Sequence, residues 1–320
     1  MDGATTRPGP SRVVVGVDGS LSARSAVMWA AAEAALRGST LFLVHAADTD
    51  RQAQSLSQVE IVRSRQAGRE LLDRTAEAIT ARHPELTVVT ELTDGGAPDG
   101  LRRAAAQTGT IVVGHRGLGG FTSLLLGSVG LEVAAGATTP VVVVRGTAEP
   151  VEAGVVLAAV RDEADVGCAR VGAREALLRK VPRRLLHIRS AGLSARSRAA
   201  LPHGDDEIAR DHVRVLSSLS ERVREEFPGL TVHADGQKGR GVPGALVDAS
   251  HHADLLVVGG RRSPGYLGPT IGRTTLSLLQ HAHCPVELIP RQGPGHGSTS
   301  RRRRPTSWSA STAASPHGPP

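Results

Sequence analysis

The chain of 320 residues repeats itself. TGTIVVGHRG at 108–117 has its counterpart in HADLLVVGGRR at 252–262, HPELTV at 83–88 in FPGLTV at 227–232, and TPVVVV at 139–144 in CPVELI at 284–289, with the offset held at 144 or 145 residues. A self-similarity of that period means one structural unit used twice. The units are expected at 11–147 and 153–290, parted by a break near Glu149 to Ala153. From about Arg291 a Ser/Gly/Pro/Arg tail, 291–320, is too polar to offset the cost of ordering, so disorder is expected there.

Within the first unit, β-like and helix-like stretches alternate. RVVVGVD, TLFLVHA, LTVVTEL, TIVVGHRG and PVVVVR are short and nearly continuous apolar runs, the pattern of strands buried on both faces. Between them lie SARSAVMWAAAEAALRG, a long segment from about Gln58 to His83 that Pro84 ends, PDGLRRAAAQ, and a helix opening at Ser128. Five strands and four helices in alternation predict an α/β fold with a doubly wound parallel sheet. Aromatic residues make up only 2% of the chain, so the core must be Val, Leu, Ile and Ala.

The net charge of +7 misleads if it is spread over the whole chain. Arg291 and Arg301–Arg304 supply five of those charges, with no acid after residue 290, and the folded part is close to neutral. A nucleic-acid-binding face is therefore not expected on the body of the protein, and only the tail is a basic candidate. Cys168 and Cys284 form no CxxC pair or metal-like cluster, which suits a reducing compartment. No stretch has the uncharged apolar length of a membrane span or a secretory signal, and the expectation is a soluble, cytoplasmic protein.

The stretch GHRGLGGFTSLLLGS, 114–128, carries the chemistry. In open parallel sheets ligands bind beyond the carboxyl ends of the strands, and this stretch starts at such an end. Gly114 and Gly117 leave the strand exit without Cβ atoms, which is expected to let a ligand approach the main chain. Gly127, Ser128 and Val129 open a helix, whose first amides lack intrahelical acceptors and sit at the positive end of the dipole, so they are expected to offer N–H groups to phosphate oxygens. Asp18, at the end of the first strand, is expected to bind sugar hydroxyls or help hold a metal on the phosphates. Glycine loops also arise merely to make tight turns, and a serine at a helix start is an ordinary N-cap. The stretch is neither GxxxxGK[ST] nor GxGxxG.

VVVGVDGS at 13–20, LFLVHA at 41–46, GHRG with nine residues before GS, and TPVVVV resemble the universal stress protein family, whose ATP-binding members carry G-x2-G-x9-G-[S/T]. The likeness is close over 12–145 and looser over 154–290, that of a tandem protein of the actinobacterial type. It implies two Rossmann-like sheets of the adenine nucleotide alpha hydrolase-like kind, each of strand order 3-2-1-4-5. It further implies Gly16, Val17 and Asp18 beside ribose and adenine, and Ala46 offering backbone hydrogen bonds to adenine. Val113, Gly114, Arg116 and Gly117 would line the fourth strand's exit, and Gly127, Ser128, Val129 and Gly130 would hold the phosphates. Gly130 departs from the Ser or Thr often found there. The implied ligand is ATP, alone or with Mg²⁺.

The second unit departs further. Gly259 matches the first glycine, but Arg262 replaces the second, Arg273 follows Gly272, and Val160 or Arg161 stands at the aspartate position with Asp162 displaced. The arginines either fill an empty pocket or supply charge to phosphates in a modified site; an empty or weak site is the reading taken. His115, His251, His252, His281 and His283 show no ligand spacing with Cys, Asp or Glu, and HxGH, the adenylyl-transfer signature, is absent. A binding and regulatory role is therefore expected. Slow Mg²⁺-dependent ATP hydrolysis or autophosphorylation, and a nucleotide-free interaction scaffold, are the alternatives. TPVVVV and CPVELI are expected as sheet edges, covered when the two halves pack as a pseudo-dimer, and whole chains are expected to dimerise too.

Overall fold

A computed structural model of the chain describes residues 12–52, 57–106, 108–117, 126–145, 153–190, 204–239, 241–260 and 271–290. The expected tail 291–320, and Arg262 with it, lie outside the described residues. The first half runs β1 (Arg12–Gly16), α1 (Leu21–Arg37), β2 (Thr40–Ala46), α2 (Thr49–Gln52), α3 (Gln58–Arg82), β3 (Val88–Thr93), α4 (Ala97–Ala105), β4 (Thr110–Gly114), α5 (Ser128–Ala135) and β5 (Val141–Val144). The second half repeats it as β6 (Val156–Ala159), α6 (Val166–Arg179), β7 (Arg183–Ser190), α7 (Gly204–Glu226), β8 (Val232–Gly239), α8 (Val242–Ala249), β9 (Leu255–Gly259), α9 (Arg273–His281) and β10 (Val286–Ile289). The one-turn α2 was not expected; it follows a left-handed Asp48, a conformation that aspartate tolerates better than most residues.

Local chemistry sets the helix ends. Ser20 caps α1 by accepting from the Ala23 amide at 3.0 Å, and Gly38 ends it in the left-handed region. Ser57 and Glu60 form a reciprocal capping box at the head of α3.

The strands form one ten-stranded sheet in the order β3-β2-β1-β4-β5-β10-β9-β6-β7-β8. Each half has the order 3-2-1-4-5 and is parallel within itself, and the halves join antiparallel through β5 and β10. The two strands expected as edges are therefore central, each covering the other. That pairing uses both edges within one chain, so they are not open to a second chain.

Alternation on each strand builds a layer on either side of the sheet. Val14, Val113 and Val143 turn to one face with Leu256, Val286 and Leu288, in a core that runs unbroken across the joint. Val13, Val15, Val112 and Val142 turn to the other face beneath α1, and Val156, Ala158 and Val257 lie beneath α6. Trp29 packs against both of the latter clusters. Cys168 and Cys284 are both buried, and no disulfide joins them. Among the described residues no helix is long and apolar enough to cross a membrane.

Candidate functional site

The exits of β1 and β4 lie side by side, because these strands pair directly at the point where strand order reverses. Beyond β1 the chain turns through Val17, Asp18 and Gly19. Val17 is buried, its N–H donates to Val44 O at 2.8 Å, and its carbonyl lies 2.6 Å from His45 Nδ1. A carbonyl only accepts, so the imidazole carries its proton on Nδ1. Asp18 Oδ1 accepts from the Ser20 amide at 2.9 Å, across a Gly19 whose φ of 84° suits glycine.

The second wall is the turn 115–117. The Arg116 amide donates to Ser22 Oγ at 3.1 Å, and the same oxygen lies 3.0 Å from His115 Nδ1. Burial, then Arg145 and Arg116, holds the His115 imidazole below its ordinary value. The buried Nε of Arg116 has no hydrogen-bond partner among the described residues. A Cβ on Gly117 would stand 2.7 Å from Asp18 Oδ2, so the bare glycine is what lets the β4 turn and the β1 carboxylate meet.

The third wall is the head of α5. Gly127 is the N-cap, and a Cβ on it would come 3.6 Å from both Arg116 Cα and Gly117 N, so the helix starts against the turn. Leu131 makes the first intrahelical bond, to Gly127 O, which leaves the Ser128, Val129 and Gly130 amides ahead of it without an intrahelical acceptor. Ser128 is exposed at the first helical position.

Several expectations need correction. Gly127 N–H is not free for a ligand, since it donates to His115 O at 2.8 Å. Ser128 is not the N-cap; that position belongs to Gly127. Gly114 does not open the strand exit, because its missing Cβ would lie 2.5 Å from Ser22 Oγ and 2.6 Å from Ser22 O, and α1 fills that space. Gly130 is buried against Leu126, and a Cβ there would meet Leu126 Cδ1 at 3.1 Å, so a larger side chain would press into the core. The Val113 side chain is core, and its main chain belongs to the sheet ladder. Gly16 closes β1 in register with Val44, and Ala46 ends β2 opposite Thr93, one strand further out. Gly114→Ala is expected to destabilise the fold by about 2 kcal/mol, since helix backbone must move to admit one methyl. Urea denaturation checks this, and an unchanged midpoint would mean that α1 yields freely.

Sequence reasoning missed the residues that brace these walls. Ser20 and Ser22 tie α1 to the β4 turn, and Ser20 Oγ reaches Arg116 O at 3.5 Å. His45 is wedged beneath α3, where a Cβ on Gly68 would come 2.6 Å from its ring. Only Ser20 had a local signal, as a capping residue before an apolar run.

In the second half the register sets Arg161 at the Asp18 position, since Val156 occupies the place of Val13. Its guanidinium pairs with Asp162 and Asp165 at 3.6 Å each, and its amide donates to Asp165 Oδ2. Arg273 is exposed at the first position of α9. Of the histidines, His251 and His283 stack with ring centroids 3.4 Å apart.

Comparison with known proteins agrees with this architecture. The Universal stress protein family model matches residues 10–145 and again 154–290. A universal stress protein of Mycobacterium tuberculosis is 30% identical over 292 residues, covering 88% of this chain and 97% of the relative. Another from the same species is 27% identical over 287 residues, covering 89% and 98%. A crystal structure of a universal stress protein from Archaeoglobus fulgidus superposes with a TM-score of 0.64 at 17% identity, covering 88% of this chain and 96% of that one, a likeness of fold. With both halves matched by the family model and a relative 30% identical over 88% of this chain, the chain belongs to the universal stress protein family.

Proposed function

We propose that the first half binds an adenine nucleotide, ATP alone or with Mg²⁺, and that the bound nucleotide regulates assembly or partner contacts. The observation that supports this most is the junction of Asp18, Gly117 and the head of α5, where a carboxylate and helix-start amides come close together. A carboxylate suits ribose hydroxyls or a phosphate-bound cation, and the amides of Ser128, Val129 and Gly130 suit phosphate oxygens. Gly16, Val17 and Ala46 would border the base through main-chain groups, while Val113 and Gly114 act as the packed floor. Arg116, with its buried Nε, would add charge on the phosphate side.

In the second half, Arg161 replaces the carboxylate and is neutralised by Asp162 and Asp165. One dominant site per chain follows.

Denaturing freshly purified protein should release adenine nucleotide, and calorimetric titration should give one dominant ATP site per chain. Gly117→Ala forces the flexible Asp18 carboxylate aside and should weaken ATP about tenfold, or about 1.4 kcal/mol. Because Gly117 is exposed, unfolding should change by less than about 0.5 kcal/mol. Unaltered affinity in both Gly117→Ala and Asp18→Ala would refute this placement of the site.

A further inference from the structure

Three acids and two bases meet where α1 and α6 lie over the β5–β10 seam. Glu33 and Arg37 stand one turn apart on α1, and Glu175 and Arg179 occupy the same positions on α6, 142 residues later. Arg37 donates from Nε to Glu33 Oε1 at 2.6 Å and from Nη2 to Glu175 Oε1 at 2.8 Å. Arg179 donates from Nη1 to Glu175 Oε2 and from Nη2 to Glu33 Oε2. Each guanidinium therefore bridges both carboxylates, and all four carboxylate oxygens have a donor. Arg37 Nη1 goes to Thr110 Oγ1 at 3.2 Å. The ring is closed, neutral and largely dry.

The fifth group is Glu287. It lies on β10 between Val286 and Leu288, which turn to the opposite face, so its carboxyl faces the layer of α1 and α6. It is 1% exposed, and its Oε2 has no hydrogen-bond partner among the described residues. Its neighbours in register are Val142 on β5 and Val257 on β9, so the flanking strands give it no charge. The charged groups that act on it are Glu33 and Arg37 from α1 and Glu175 and Arg179 from α6. Val142 is also its repeat counterpart, 145 residues earlier, and the two are paired directly. The pseudo-twofold axis thus passes between a valine and a glutamate.

Three carboxyls against two guanidiniums leave one negative charge over. In a dry joint the proton is retained by the group without a donor, because an unpaired buried carboxylate costs more than a neutral acid. Burial, then Glu175, pushes the Glu287 carboxyl up to about 8 against the pull of Arg37, and burial with Glu33 raises Glu175 as well. The titration belongs to the cluster.

We propose that Glu287 and the Glu33–Arg37–Glu175–Arg179 ring form a proton-binding site that controls the joint between the two halves. With the proton in place the β5–β10 seam is closed; its loss puts an unpaired carboxylate on the pseudo-twofold axis and loosens the seam. An unfolded glutamate ionises near its ordinary 4.5, whereas the folded one holds its proton to about 8. The site's contribution is therefore complete below the unfolded value and is lost as pH rises through the folded one.

The test uses the full chain, with Glu287→Gln, which keeps the shape but cannot ionise, and Glu287→Val, which copies Val142. Amide exchange of the segment 141–144 is followed by mass spectrometry in all three proteins. At any one pH the chemical exchange rate of this segment is the same in each, so the ratio of wild type to variant isolates seam opening. That ratio is expected to rise about thirtyfold between about pH 6.5 and about pH 9 against both variants, levelling off above the folded value. A ratio that stays flat over this range would overturn the proposal, and so would a Gln variant that is less protected by a constant factor, since the carboxyl would then be a fixed hydrogen-bonding group. Neither outcome bears on nucleotide binding.

Discussion

Arg37→Met is expected to destabilise the chain by about 3–5 kcal/mol, the largest loss foreseen for any single polar substitution. The alkyl stem is kept, so the loss is electrostatic. Arg37 is the donor to Glu33 Oε1, Glu175 Oε1 and Thr110 Oγ1, and both glutamates are almost wholly buried. Without it, Arg179 alone would face three carboxyls in a space water hardly enters. Urea denaturation measures the effect, and Trp29, which packs against the clusters of both halves on this face, offers a fluorescent reporter at the joint. The internal control is Arg74→Met, which removes a 4.0 Å pair with Glu70 whose side chains are more than half exposed and should cost under about 0.5 kcal/mol. Adding Glu33→Gln to Arg37→Met should restore part of the loss, because one buried charge then disappears with its partner. If Arg37→Met costs no more than Arg74→Met, the ring contributes nothing to the joint.

Arg183→Met should act in the opposite direction and stabilise the chain by about 2–3 kcal/mol. Arg183 opens β7 and is 0% exposed, with Nη1 donating to Ala169 O on α6 and with Nε and Nη2 lacking hydrogen-bond partners among the described residues. Among the described residues no acid is paired with it. Burial, only partly offset by Cys168, pulls the guanidinium down to about 10, well below its ordinary value. Since the unfolded group binds its proton more tightly, the penalty is complete below about 10 and is relieved only as pH rises through the unfolded value, so it is present in full at neutral pH. The repeat supplies a natural control. In register, Arg183 pairs with Val156 as Leu41 pairs with Val13, and Leu41 is also fully buried. An apolar side chain therefore fits this place in the fold. Methionine keeps the unbranched stem near Gly172, where a Cβ would come 3.5 Å from Arg183 Cδ. A lower melting temperature in the variant would mean that the Nη1 bond to Ala169 outweighs two buried nitrogens without partners among the described residues.

Much of the fold was legible because its signals are local and repeated. Continuous Val/Leu runs named the strands, Gly38 and Pro84 lie where α1 and α3 end, and the steady offset predicted two units that pack as a pair. The apolar, proline-preceded β5 and β10 also announced that something must cover them. Their antiparallel register, and hence the meeting of Val142 with Glu287, had no local mark. At the site, Asp18, Gly117 and the head of α5 were expected together and are together. Gly114 lacks a Cβ because Ser22 takes the space, and a missing Cβ looks the same in a sequence whether a ligand or a packed helix fills it. Gly127 N–H failed for a similar reason, since its acceptor, His115 O, lies twelve residues back across the loop.

By itself the sequence determined what depends on near neighbours along the chain: the alternation of strand and helix and the two-fold repeat. Only the tertiary structure decided what depends on groups far apart in sequence. It set α1 against Gly114, His45 against Val17, and five ionisable side chains from two halves around one axis. The physical reason is that backbone propensity acts over a few residues, whereas desolvation and ion pairing act through space. A buried charge therefore takes its meaning from neighbours that the order of the chain does not reveal.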